Sequence, residues 1–419
     1  MEVQISTFGA VAGLLLSVLF IIGRMHPVYS LMIGALAGGL IGGNELGATV
    51  SCMIAGSGQM MQAVLRILGA GVLVGSLVYT GAANIIARTL VSYAGERFIL
   101  PALALATLLL TLSGVFVDIA VITVAPIALA VAARLELSRS AILLAMIGGG
   151  KAGNIMSPNP NTIVLSEKMG VPLTDLMQAG LLPAICAFIM TCLLAHLLRN
   201  WRDRVAPAAS AESADPPVRL TTFLAAAVGP VAAICLLALR PLANIAIDPL
   251  VALPVGGLLG LLAMGKPSGT RECMRIGLEK MAPVALLLIG TGCLAGIIGE
   301  SGLKFSLIHF IEGCGLPGFS LAPVSGILLC GATASTVAGA TVASSVFGPA
   351  LIELGVPALA GAIMIHTGAT VCDTLPHGSF FHASGGSVQM ELGHRMRLIP
   401  LEMIIGLTQT ITAVLLFMP

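Results

Sequence analysis

Long runs almost free of charge recur along this chain, and they decide the solvent in which it can fold. A helix rising 1.5 Å per residue needs about 20 apolar residues to cross a hydrocarbon core about 30 Å thick. Runs of that kind lie near residues 5–23, 28–46, 65–82, 174–199, 220–239, 249–265, 282–299 and 398–418. The stretches 98–134 and 319–355 are longer and more broken, while 139–170 and 357–386 begin apolar and then turn polar. Of the 419 residues, 57% are hydrophobic and 9% are charged. A soluble domain carries about 25% charged residues, so this chain would precipitate in water. The expected class is an all-α polytopic membrane protein, with the lipid bilayer as its first partner.

Other classes are excluded on similar grounds. A net charge of +1 without a basic stripe offers nothing to nucleic acid. The nine cysteines include no C-x-x-C and sit mostly in apolar runs, where reduced thiols pack as small hydrophobes. MEVQIS has no positive region ahead of its apolar run, so a first membrane helix is expected there rather than a cleaved signal peptide. No H-E-x-x-H, G-x-S-x-G or P-loop occurs, so neither an enzyme nor a cofactor is expected. The run GAGVLVG at Gly69–Gly75 lies within a membrane run, where glycines serve packing. His377 and His382, five apart in a broken segment, read as hydrogen-bonding residues rather than metal ligands.

The chain divides near its middle. Residues 200–219 are charged and rich in Pro, Ala and Ser, as in a cytoplasmic linker. The flanking halves, 1–199 and 220–419, are related. Gly69, Gly71, Gly75 and Gly81 recur 221 positions later at Gly290, Gly292, Gly296 and Gly302. In both halves a glycine-rich helix precedes a long interrupted stretch, then a helix broken at proline (Pro160, Pro376), then a last helix. The expected plan is two repeats of about five transmembrane helices plus a re-entrant hairpin (98–134, 319–355) and a broken helix (139–170, 357–386). An odd number of crossings inverts the second repeat. With both termini outside, nearly all Lys and Arg fall on the cytoplasmic side, the exceptions being Arg66, Lys168, Arg240 and Lys304 outside and Lys151 within the membrane. Two full crossings in place of each hairpin would give the same charge pattern.

Unwound backbone facing lipid costs several kcal/mol per unpaired group, so it persists only where protein shelters a wet cavity. Two such segments, Gly148–Thr162 and His366–His382, fall at corresponding places and mark a transport site at the midplane. Helix N-termini after each break, and helix ends at the hairpin tips, favour a carboxylate. Candidate binding residues are Asn154, Ser157, Asn159, Asn161, Thr162, Thr333, Ser335, Thr336, Asp373, Thr374, His377 and Ser379. Such hydroxyls and amides suit a small polyhydroxylated anion. Lys151 is either a counter-charge to the substrate or the neutralising partner of Asp118 or Asp373. Asp118, Asp373 and His366 are the candidate proton carriers.

The stretches GGGKAGNIMSPNPNTIVLSEKMGVPLTDLMQAGLLPAI, ATASTVAGATVASSVFGPALIELGV and CDTLPHGSFFHASGG, in this order, resemble the gluconate permease (GntP) family. The resemblance covers most of the chain. It implies proton-coupled uptake of gluconate or a related hydroxylated monocarboxylate across the inner membrane. It also implies two inverted repeats, a scaffold that usually dimerises, and a transport domain that moves as an elevator. Gluconate members carry Pro-Pro-His-Pro-Gly-Pro where this chain has Ser157–Thr162, and Asn-Asp-Pro-Gly near Asp373–Gly378. An acid, usually Glu, stands in them at the place of Asp118. A sodium-coupled di- or tricarboxylate carrier is the nearest alternative, and an intramembrane enzyme a distant one.

Overall fold

The computed structural model describes residues 5–205, 219–313 and 315–418, and every regular element among them is a helix. In the first half these are α1 (Thr7–Ile22), α2 (Pro27–Ile41), α3 (Leu46–Gly58), α4 (Met61–Thr80), α5 (Ala82–Tyr93), α6 (Ile99–Leu112), α7 (Val117–Leu135), α8 (Arg139–Asn154), α9 (Pro160–Met169), α10 (Leu173–Ala179) and α11 (Leu181–Leu197). The second half holds α12 (Leu220–Ala243), α13 (Pro249–Ala263), α14 (Thr270–Gly299), α15 (Leu303–Gly313), α16 (Leu321–Thr333), α17 (Thr336–Glu353), α18 (Ala358–Gly368), α19 (Ser379–Ser387) and α20 (Leu392–Phe417). Six of these helices are long and apolar enough to cross a membrane, or seven if α10 and α11, bent by 40°, count as one span.

Local chemistry sets the boundaries. Proline at the first helical position opens α2, α9 and α13, where its missing N–H costs nothing. Gly81, at φ +79°, turns the chain from α4 into α5, in a left-handed conformation that a side chain would strain. α1, α2 and α13 have 16, 15 and 15 residues, shorter than the runs in the sequence; α2 stops early, at Gly42–Gly43, and the other two at Gly23 and Gly265, where their runs end. Three helices were not foreseen: α3, α5 and α15 are 13, 12 and 11 residues long, too short to register as spans.

The helices pack in two groups. α1–α4 and α12–α14 pack on one another, as do α6–α11 and α16–α20. α5 bridges α12 to α6 and α7, and α15 bridges α1 to α17. Where α14 crosses α3 and α4, the glycines meet in an exchanged pattern. A Cβ on Gly71 would stand 2.9 Å from the carbonyl oxygen of Gly277, and one on Gly292 would stand 2.8 Å from that of Gly56. Gly75 lies against Cys273 and Gly296 against Cys52, again with no room for a side chain. Shifting by 221 residues turns the first member of each pair of contacts into the second with its partners swapped. Reciprocal contact of this kind is what two halves related by a two-fold axis would make.

Of the expected linker, 206–218 lie outside the described residues. Its first part is folded rather than free. Asp203 accepts from the backbone N–H and hydroxyl of Ser140 (2.9 and 2.6 Å), and Val205 N–H donates to Leu137 O at 3.0 Å. The start of the linker thus caps α8.

Candidate functional site

The GGGKAGN sequence makes α8 a helix enclosed on every side, since Ser140–Asn154 are all buried. Gly149 and Gly153 lie against backbone carbonyls of α6, and Gly148 against Thr191 of α11. That enclosure explains Lys151. Its ammonium is fully buried, 2.7 Å from Asp373 Oδ1, and donates to the carbonyls of Thr370 (2.7 Å) and Glu402 (3.3 Å). Asp373 in turn accepts from the Thr336 hydroxyl at 2.9 Å. Lys151 is thus paired with Asp373, one of the two acids considered for it.

The first break, residues 155–159, closes on itself. Asn159 Oδ1 accepts from the N–H groups of Asn161 (2.8 Å) and Thr162 (3.2 Å). Its amide nitrogen donates to Asn154 Oδ1 and to the Ser157 hydroxyl, both at 2.7 Å, and also to the Asn154 carbonyl. Pro160 has no N–H to offer. The free donors expected at the start of α9 are therefore already satisfied, and Ser157, Asn159 and Thr162 are buried and turned inward. Asn161 differs, because its Oδ1 is buried with no protein partner among the described residues.

The second break, residues 369–378, stays open. Among the described residues no side chain caps the N-terminus of α19, and His377 and Ser379 are exposed beside it. The tip of the α16–α17 turn closes against this break. A Cβ on Gly378 would meet Ala334 Cβ at 2.7 Å, and His377 Nε2 lies 3.3 Å from Ala332 O. The tip between α6 and α7 lies against the first break, where a Cβ on Gly114 would stand 3.5 Å from Pro158 O. α7 has no side-chain cap, while Ser335 accepts from Ala338 N–H at the start of α17.

Both tips, the second break, and Asn154 and Asn161 on either side of the first break line one cavity of about 920 Å³. Asp118, Asn154, Asn161, Thr333, Ser335, Thr336, Asp373, His377 and Ser379 are on its wall; Lys151, Ser157, Asn159, Thr162, Thr374 and His366 are not. Asp118 is exposed to the cavity, with its Oδ1 accepting from Ile119 N–H at 2.9 Å. His366 is fully buried in α18, and neither ring nitrogen has a partner among the described residues. The opposite wall comes from the α1–α2 turn and from α14. It brings Arg24, His26 and Lys280, exposed cations and an imidazole that no sequence pattern places here. Glu279, also on this wall, is tied to Arg275. Among the described residues no cluster of metal-binding side chains occurs.

Arg395, expected among the cytoplasmic charges, is instead buried. It pairs with Glu402 at 2.5 Å, two turns along the same face of α20, and lies 4.7 Å from the centre of the Phe381 ring. It also donates to Phe381 O and the Ser384 hydroxyl, both at 3.3 Å, so it binds α19 to α20. The seven-residue spacing of Arg and Glu was the available signal. Through the Glu402 carbonyl this pair continues to Lys151, Asp373 and Thr336. A buried polar chain therefore joins α8 and α20 to the second break and the second tip.

The profile of the GntP family permeases matches residues 4–418. A protein of Haemophilus influenzae described as an uncharacterized transporter is 53% identical over 419 residues, covering 99% of this chain and 98% of its own. The high-affinity gluconate transporter of Escherichia coli is 22% identical over 381 residues, covering 84% of this chain and 85% of its own. The crystal structure of the Alcanivorax borkumensis YdaH transporter superposes with a TM-score of 0.67 at 18% identity, over 89% of this chain and 87% of that one. Its likeness establishes a shared helical fold. The chain is a membrane transporter and belongs to the GntP permease family.

Proposed function

We propose that the chain carries a small hydroxylated monocarboxylate, gluconate or a relative, into the cell by proton symport. The observation that carries this reading is the cavity. It gathers the uncapped N-terminus of α19, the start of α7, where Asp118 takes one N–H, the cations Arg24 and Lys280, and the amides and hydroxyls of Asn154, Asn161, Thr333, Ser335 and Ser379. Helix N-termini and cations attract a carboxylate, and the neutral polar groups match hydroxyls. The gluconate relative supports the substrate class.

Proton carriage falls to Asp118. Protonating Asp373 would strand the buried Lys151 ammonium, and losing one partner of a buried pair costs about 3–5 kcal/mol. A proton on His366 would place a charge in an apolar core. Asp118 faces the cavity and takes a proton without either cost. In the reading we favour, α6–α11 and α16–α20 form the transport body and slide against a scaffold of α1–α4 and α12–α14. The halves are inverted repeats in the inner membrane with both termini periplasmic. Arg24 and Lys280 then lie cytoplasmic, so the cavity faces inward.

Uptake of labelled gluconate into proteoliposomes tests the proposal. Accumulation is expected to follow an imposed pH gradient and to be indifferent to replacing Na⁺ with choline. Asp118→Asn is expected to keep binding and exchange of substrate while losing pH-driven accumulation. Uptake that needs Na⁺ and prefers a di- or tricarboxylate would replace this reading with the sodium-coupled one.

A further inference from the structure

Four charged residues that this function leaves unused, Arg66, Glu167, Arg240 and Asp248, gather at a second pocket, of about 360 Å³. One wall is α9 and α10, carrying Glu167 and Thr174; the other is α4, α12 and the turn before α13, carrying Arg66, Arg240 and Asp248. Its place is related to that of the main cavity. The main cavity is lined by Leu287 of α14 and by His26–Pro27 before α2, while the small pocket is lined by Arg66 of α4 and by Asp248–Pro249 before α13. Leu287 lies 221 positions after Arg66, and Asp248–Pro249 lie 222 positions after His26–Pro27. The same exchange relates Gly71–Gly277 to Gly292–Gly56. The two recesses are thus counterparts about the two-fold axis, one wide and the other pinched.

Ion pairs do the pinching. Arg66 holds Asp248 with Nε at 3.0 Å and Nη2 at 2.6 Å, and its Nη1 meets Glu167. These hydrogen bonds keep the Asp248 carboxyl below the usual carboxylate range. Arg240 meets Asp175 at 3.3 Å and the Thr174 hydroxyl at 3.2 Å. Arg66, Arg240 and Asp248 belong to the α1–α4 and α12–α14 group, whereas Glu167, Thr174 and Asp175 belong to the other. Arg66–Glu167 and Arg240–Asp175 therefore cross the seam between the two packing groups. At the counterpart of Arg66 in the open cavity stands uncharged Leu287.

We propose that the small pocket is the closed second entrance to the transport path, and that Arg66–Glu167 and Arg240–Asp175 latch it shut. Alternating access requires two such entrances, open in turn. The inference rests on the transporter reading but on neither the substrate nor the coupling ion. Partly exposed pairs contribute modestly, as a latch that must release in every cycle requires.

Hydrogen–deuterium exchange of the purified full-length protein tests it, comparing the parent with Glu167→Gln/Asp175→Asn. The expected result is about tenfold faster exchange at 160–180 and 244–250, with slower exchange at 113–119 and 333–337 as the main cavity closes. Asp175→Arg combined with Arg240→Asp restores the crossing pair and is expected to return the parent's pattern at α10. Unchanged exchange at both entrances, or acceleration at both, would overturn the latch. Gluconate uptake is measured separately. Its absence together with opposite exchange changes would remove the substrate assignment and leave the latch standing.

Discussion

The two breaks occupy corresponding places in the two halves, yet they are finished differently. The first spans five residues and spends its polar groups on itself, with Asn159 capping α9 and bonding back to Asn154 and Ser157. The second spans ten residues, leaves α19 uncapped, and presents His377 and Ser379 to the cavity. One unwound segment is thus a sealed joint with only Asn154 and Asn161 facing the cavity, and the other is an open binding edge. A polar break inside a membrane run marks shelter from lipid, but not which of its groups remain free for a ligand. That depends on whether the segment carries its own acceptor for the N–H groups at its helix start. Asn159 is such an acceptor, and Gly378 at the matching place has no side chain to serve.

The largest effect is expected where α8 is joined to the second break. Lys151→Met leaves Asp373 buried with its charge uncompensated, and about 3–5 kcal/mol of stability is expected to be lost, together with uptake. Adding Asp373→Asn is expected to recover most of the stability and none of the uptake. Thermal unfolding in detergent reads the first effect and proteoliposome assays the second. A Lys151→Met protein that melts with the parent would separate α8 from the second break and dissolve the polar chain between them.

A smaller change tests the contrast directly. Asn159→Ala removes the cap of α9 and is expected to cost about 1–2 kcal/mol, with the KM for substrate little changed because Asn159 is off the cavity wall. Ser379→Ala is expected to do the reverse, raising KM with the melting temperature unmoved. If both substitutions acted on KM alone, the first break would be as open as the second.

The sequence carried the class of protein, the places of the breaks and the residues that could be polar at membrane depth, because each depends on local composition. It did not carry direction. Thr162 and Ser157 point inward because Asn159 folds over them, and no spacing rule shows that one amide satisfies two N–H groups. Arg24 and Lys280 reach the cavity from a turn and a helix distant in sequence, so only packing brings them there. The burial of Arg395 went unread for the opposite reason. Charge counting treats every arginine as solvated, and a partner two turns along the same helix removed this one from water. The exchanged glycine contacts were half legible, since the 221-residue offset showed which residues correspond but not that α14 crosses α3 and α4.

The smallest expected effect lies at glycines, and it sharpens the same contrast between a packed and an open segment. In α8 the glycines are required by close approach: a Cβ on Gly150 would stand 2.6 Å from Val117 Cγ1, and Gly148, Gly149 and Gly153 are closer still to their neighbours. In α19 the exposed Gly386 has nothing within 4 Å of where a Cβ would be, and its backbone is helical. Gly there only adds freedom to the unfolded chain, so Gly386→Ala is expected to stabilise the protein by about 0.5–1 kcal/mol. The shift would appear as a rise of a few degrees or less in the melting temperature. The same substitution also stiffens the helix that begins at the open break. If the α19 edge must flex to admit substrate, uptake falls while stability rises; if the edge is preformed, only stability changes. A destabilised Gly386→Ala protein would show that α19 is packed as tightly as α8, and the distinction between the two breaks would not extend beyond their caps.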